Sequence, residues 1–108
     1  MISIFIQDND LKELIETGKN SKYKALSRNH RFKAGLTRVL TTIRNAESTA
    51  SLGNYSFLHY EKLRHLSEPL SSVRVVNNQP ERLLFREADN AIEITIIELN
   101  KTHNGNKK

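Results

Sequence analysis

The sequence predicts an α+β fold: two N-terminal helices packed on a small, mostly antiparallel, twisted β-sheet, in the order β-α-α-β-β-β-β. Three observations carry this. The chain opens on an alternating, β-branched run, Ile2-Ser3-Ile4-Phe5-Ile6. Two stretches in the first half space their apolar residues with helical period. The second half is a series of short strand-like segments separated by turn residues. Hairpins that follow a pair of helices place those helices on one face of the sheet.

Residues 2–6 read as the first strand, because Ile and Phe pack well on a pleated surface. Asp8 or Asn9 offers an N-cap, and Leu11, Leu14 and Ile15 form a stripe that stops at Gly18, a residue free to take the left-handed conformation of a helix C-terminus. The polar, basic residues 19–27 read as a connection. Ser27 or Asn29 caps a longer helix reaching about Ala46, with Phe32, Leu36, Val39, Leu40 and Ile43 on its apolar face and Arg28, Arg31, Lys33, Arg38 and Arg44 on the other. Residues 47–54 read as a loop and 55–63 as a strand with its turn. Residues 70–76 read as the next strand, Asn77-Asn78-Gln79-Pro80 as a turn, 82–86 as the answering strand, 88–90 as a tight turn and 91–99 as the last strand. Residues 1–103 are expected to form one domain, with 104–108 a polar, basic tail that frays.

A chain of 108 residues buries roughly 65% of its unfolded surface, enough for one modest core. Lys and Arg number 17 and Asp and Glu 12, a net charge of +5, and the isoelectric point is near 9.7. That balance favours an anionic partner without choosing among nucleic acid, acidic protein and membrane surface. There is no cysteine, which excludes disulfides and Cys-based zinc sites. The apolar start is too short for a signal peptide or a membrane span, so a cytoplasmic protein with no membrane partner is expected.

Strand alternation sorts the chemistry. Leu83 and Phe85 share a core face, which sends Arg82, Leu84 and Arg86 to the other. Val73 and Val75 go inward, leaving Ser72, Arg74 and Val76 on the open side. In the last strand Ile92, Ile94 and Ile96 go inward and Glu93, Thr95 and Ile97 outward. Arg74 and Arg82 flank one turn and meet on the open face. Two guanidiniums that close repel unless an anion joins them, and phosphate matches their fork. The competing reading pairs each with Glu61, Glu81 or Glu93. His59 and His103 are the other candidate actors, since histidine exchanges protons near neutral pH. No His pair has metal-ligand spacing on a helix, and no nucleophile elbow supports Ser-His-Asp hydrolysis. No cofactor is expected.

These residues resemble the RelE/HigB-like toxins of bacterial type II toxin–antitoxin systems, in the flavour of HigB and YoeB. The likeness runs through Asp10-Leu11-Lys12-Glu13-Leu14-Ile15-Glu16-Thr17-Gly18-Lys19-Asn20-Ser21, His59-Tyr60-Glu61-Lys62-Leu63, Ser72-Val73-Arg74-Val75, Arg82-Leu83-Leu84-Phe85, and Ile97-Glu98-Leu99 with His103. The resemblance implies a ribosome-dependent mRNA endonuclease that cuts in the ribosomal A site by metal-free attack of a ribose 2′-hydroxyl on the adjacent phosphate. It implies Arg74 and Arg82 as phosphate stabilisers, His59 as base or orienter and His103 as acid. Lys62, Arg64, Arg86 and Lys101 become RNA or ribosome contacts, and the helical Arg31 and Arg38 face ribosomal RNA. A HigA-like antitoxin is the implied protein partner. The chain departs from the family pattern where many members end Asp-Tyr-His, having Lys101-Thr102-His103, and where Arg64-His65-Leu66-Ser67-Glu68-Pro69 replaces a Lys-Gly turn. Two other functions fit the same resemblance: a ParE-like inhibitor of DNA gyrase, and an inactive toxin-derived protein that binds antitoxin or DNA.

Overall fold

The computed structural model describes residues 1–63 and 67–100. In chain order they form β1 (Ser3–Ile6), α1 (Asn9–Thr17), α2 (Lys24–Ser27), α3 (His30–Asn45), two 3-10 segments (Thr49–Asn54 and Ser56–Leu58), β2 (Glu61–Leu63), β3 (Leu70–Arg74), β4 (Arg82–Glu87) and β5 (Glu93–Asn100). The strands make one mixed sheet in the order β1-β5-β4-β3-β2. β1 runs parallel to β5, and the β2–β3, β3–β4 and β4–β5 pairs are antiparallel. The architecture is α+β, as expected.

Both long helices begin and end where local chemistry dictates. The Asp8 carboxylate accepts from the amides of Asp10 (2.9 Å) and Leu11 (3.2 Å), satisfying donors that α1 leaves open. Gly18, at φ +80°, closes α1 by donating its amide to the Leu14 carbonyl. Asn29 caps α3 by accepting from the Phe32 amide at 2.9 Å. Leu11 and Leu14 of α1, and Phe32, Leu36, Val39, Leu40 and Ile43 of α3, are buried in one core with Val73, Leu83, Phe85, Ile94 and Ile96 of the sheet. Burying each such side chain contributes about 1.5–3 kcal/mol relative to exposure.

At Gly35 the helix α3 lies close against the chain just past β3. A Cβ there would lie 2.6 Å from Val76 Cγ2 and 2.7 Å from the Val75 carbonyl oxygen. Only a bare backbone lets the helix rest on the end of β3, and this contact sets how the basic face of α3 stands beside the β3–β4 turn.

Several expectations are corrected. The 19–27 connection carries the short helix α2, and the 47–54 loop is a 3-10 segment. Residues 55–63 are not one strand: a 3-10 segment runs to Leu58, His59 takes φ +47°, and only Glu61–Leu63 pairs. The left-handed residue ends one path and starts another. β5 begins at Glu93 rather than 91, because Ala91 at φ +64° completes the preceding turn; Ile92 is 46% exposed instead of inward. β3 stops at Arg74. Between Leu84 and Phe85 the register with β5 slips, pairing Leu84 with Glu98 and Phe85 with Ile96. The extra residue, Ile97, resets the alternation, so Leu99 instead of Glu98 joins the core side opposite Leu83. No helix among the described residues is long and apolar enough to cross a membrane.

Candidate functional site

Arg74 and Arg82 are direct cross-strand partners at the end of the β3–β4 hairpin. Their side chains share the face away from the helices, as alternation requires, but that face is not open here. Leu63, Ser72, Arg82 and Leu84 are all buried on it, and Arg82 is only 3% exposed. The placing of Ser72, Arg82 and Leu84 on an open side is therefore corrected: alternation selects a face and says nothing of what covers it.

Arg82 spends its donors inside the protein. Nε donates to Ser72 Oγ at 3.0 Å and Nη2 to the His59 carbonyl at 2.5 Å, while Glu61 Oε1 lies 3.9 Å from Nη2. Burial lowers its proton affinity, the neighbouring Arg74 charge lowers it further, and Glu61 opposes both. The competing expectation of a carboxylate partner is met for Arg82 by Glu61.

Arg74 is half-buried. Its Nη1 donates to the carbonyls of Asn77 (3.2 Å) and Gln79 (3.4 Å), gripping the turn that joins β3 to β4. Its Nε is buried with no hydrogen-bond partner among the described residues, and a buried unmet donor on a cation is costly. The same turn is tied to α3, because Asn29 Nδ2 donates to Gln79 Oε1 at 3.2 Å.

His59 is exposed beside this turn, with Nε2 3.2 Å from Asn77 Oδ1. An amide oxygen only accepts, so in the tautomer that makes this bond Nε2 donates and a neutral ring would keep its lone pair on Nδ1. His59, Arg74 and Arg82 thus form one connected cluster: Arg82 holds the His59 backbone, Arg74 holds the turn, and Asn77 joins the turn to the ring.

The basic face of α3 borders the cluster. Arg31, Gly35, Arg38, Phe57, Val76 and Asn77 line a groove of about 270 Å³. The guanidinium carbon of Arg38 lies 4.0 Å from the Phe57 ring centroid, a cation–π contact. Among the described residues the carboxylate ion pairs are Arg82–Glu61 and Arg86–Glu68. Arg31, Arg38 and Arg74 have no carboxylate at that range among them.

Lys62 and Arg86 do not join this cluster. They line a separate cleft of about 500 Å³ with Glu68, Leu70, Glu87 and Asp89. Arg86 Nε donates to Glu68 Oε2 at 2.5 Å, and Glu87 accepts from the Tyr60 and Ser71 hydroxyls. The acids in this cleft offset its cations, which makes it a poor anion funnel. Arg64, Lys101 and His103 lie outside the described residues, as does the 104–108 tail. No group of three or more His, Asp or Glu among the described residues could hold a metal ion.

Sequence reasoning passed over Phe57, Asn77 and Gln79. Phe57 was absorbed into an expected strand, although Tyr55 and Phe57 next to a basic helix are the aromatic and cationic mixture that nucleic acids attract. In the sequence Asn77 and Gln79 carry only the signal of turn formers. In comparison with known proteins, no family model and no curated sequence matches the chain.

Proposed function

We propose that this protein is the toxin of a type II toxin–antitoxin pair and cleaves mRNA in the ribosomal A site. The single observation that carries the reading is the cluster at the β3–β4 turn. A half-buried arginine whose Nε has no acceptor among the described residues, a histidine and the α3 arginines Arg31 and Arg38 stand side by side on a small basic protein. The topology also suits a RelE-like fold, with β1 parallel to the last strand and the remaining strands a meander beneath two long helices.

In this reading the RNA phosphate sits against Arg74, whose Nε gains the acceptor it lacks. His59 Nδ1 takes the proton of the ribose 2′-hydroxyl. The 2′-oxygen bonds to phosphorus, the bond from phosphorus to the 5′-oxygen breaks, and that oxygen leaves with a proton supplied by an acid, for which His103 is the candidate. Arg82 acts as a positioning residue, since its donors hold Ser72 and the His59 backbone. Losing one stabilising donor costs about 2.7–4 kcal/mol of barrier; losing the acid or base costs roughly 10²–10⁴ in rate. A small HigA-like antitoxin covering the basic surface completes the system.

A second reading, a ParE-like inhibitor of DNA gyrase without nuclease chemistry, is favoured by one observation: Arg82 is committed to internal bonds, leaving Arg74 alone of the cross-strand pair for phosphate. Primer extension on a defined mRNA in a translating extract separates the two. New 5′ ends inside the A-site codon, absent without ribosomes and lost in Arg74→Ala, are expected. Intact mRNA in the presence of folded protein refutes the nuclease, and gyrase inhibition would then carry the second reading.

A further inference from the structure

We propose that Arg38 and Phe57 form a stacking shelf for one unpaired nucleobase of single-stranded RNA, next to the His59 cluster. The proposal rests on the reading of this surface as RNA-binding and adds a base subsite to it.

The close Arg38–Phe57 contact suits a layered stack. Arg38 lies over the Phe57 ring at 4.0 Å. Guanidinium is planar and weakly hydrated, and it stacks readily on flat π-systems. Exposed, and with no carboxylate within ion-pair range among the described residues, the guanidinium can take a second flat group on the side away from Phe57. Nucleobases splayed from single strands stack in this way on aromatic rings and on arginine planes. Arg38 is exposed while Phe57 is half-buried, so the ring is fixed by the protein and the cation is held on it.

The groove fits a single base. Its volume, about 270 Å³, falls below the roughly 300–1,000 Å³ of pockets that hold drug-sized ligands. Val75 and Val76 form an apolar floor, and Gly35 lets α3 close on that floor without a side chain in the way. Asn77 also lines the groove, with an amide suited to a base edge. The same amide meets His59 Nε2, so an occupying base is a near neighbour of the phosphate that faces Arg74. Arg31, on the same helix face, supplies a phosphate contact. An acidic peptide would match the charge but would leave the arginine plane and the apolar floor unused.

The test is binding of a short fluorescent single-stranded RNA to the purified full chain, measured by anisotropy without ribosomes. The variants are Arg38→Lys, which keeps the charge and loses the plane, and Phe57→Leu; thermal unfolding confirms that each is folded. Roughly tenfold weaker binding is expected for Arg38→Lys, with an unchanged dependence on salt, because the number of cations is the same. Wild-type protein should lose a similar factor when one base is made abasic, and Arg38→Lys should then show no further loss. Equal affinity of Arg38→Lys and wild type, no abasic position that matters, or no binding by the wild-type chain overturns the shelf. So does competition by polyglutamate that is as strong as that by RNA and indifferent to Arg38→Lys. Because cleavage is not read, the two ideas fail separately. Plane-dependent binding with intact mRNA on ribosomes sinks only the nuclease, and cleavage without plane dependence sinks only the shelf.

Discussion

Replacing Arg82 distinguishes a brace from a phosphate contact. In the folded protein its guanidinium makes two charge-assisted hydrogen bonds, to Ser72 Oγ and the His59 carbonyl, at 3% exposure. Each is worth about 1.5–3 kcal/mol, and removing the cation leaves the Ser72 hydroxyl and the His59 carbonyl without that donor. The Glu61 pair adds little, because that carboxylate is exposed and 3.9 Å away. Relief of the repulsion from Arg74 and of the burial of charge offsets part of the loss. Arg82→Ala is therefore expected to cost about 3 kcal/mol, which lowers the melting temperature by roughly 15 °C in a domain of this size. Arg82→Met, which refills the volume with apolar atoms, should cost about half as much. Urea unfolding followed by circular dichroism measures both, with an unchanged slope showing that compactness is retained. An Arg82→Ala midpoint equal to that of wild type, together with loss of RNA cleavage or binding, would refute the brace and return Arg82 to the phosphate.

Gly35→Ala should destabilise by about 1–3 kcal/mol despite the better helix propensity, since the new methyl meets Val76 and the Val75 carbonyl at under 3 Å; thermal unfolding reads it, and a stabilised variant would contradict the close approach. Asn29→Ala removes both the cap on Phe32 and the bond to Gln79, for about 1–2 kcal/mol, whereas Asn29→Asp keeps the cap and should lose less than Ala by chemical denaturation. The Tyr23 hydroxyl is pushed up from 10.0 to about 12, first by burial and then by the Asp8 carboxylate, to which it donates at 3.2 Å. The folded protein thus holds this proton more tightly than the unfolded chain. The associated stability is fully present below pH 10 and is lost as pH rises toward 12. Urea midpoints should fall across that window, and Tyr23→Phe should flatten the fall.

What lay open in the sequence was what neighbours along the chain decide. The Asp8 and Asn29 caps, the Gly18 stop and the apolar stripes of α1 and α3 follow from hydrogen-bonding groups and side chains within a few residues of each other. The side of the sheet that Leu83, Phe85, Val73, Ile94 and Ile96 face follows from a period of two. The meeting of Arg74 and Arg82 was legible for the same reason, because both flank one short turn. Where a local rule was interrupted by one residue the reading failed: His59 and Ala91 in the left-handed region, and Ile97 at the bulge, each redirected a strand that composition alone extends.

The sequence by itself determined the α+β class, the limits of α1 and α3, the basic character and the residues available for chemistry, because these depend on short-range periodicity and capping. Only the tertiary structure decided that Arg82 is buried against Ser72 and the His59 carbonyl, that Arg38 lies on Phe57 beside Asn77, and that Lys62 and Arg86 belong to a different cleft among acids. Burial and partnership are set by segments distant along the chain, brought together by a β1–β5 pairing and a Gly35 contact that no local pattern encodes.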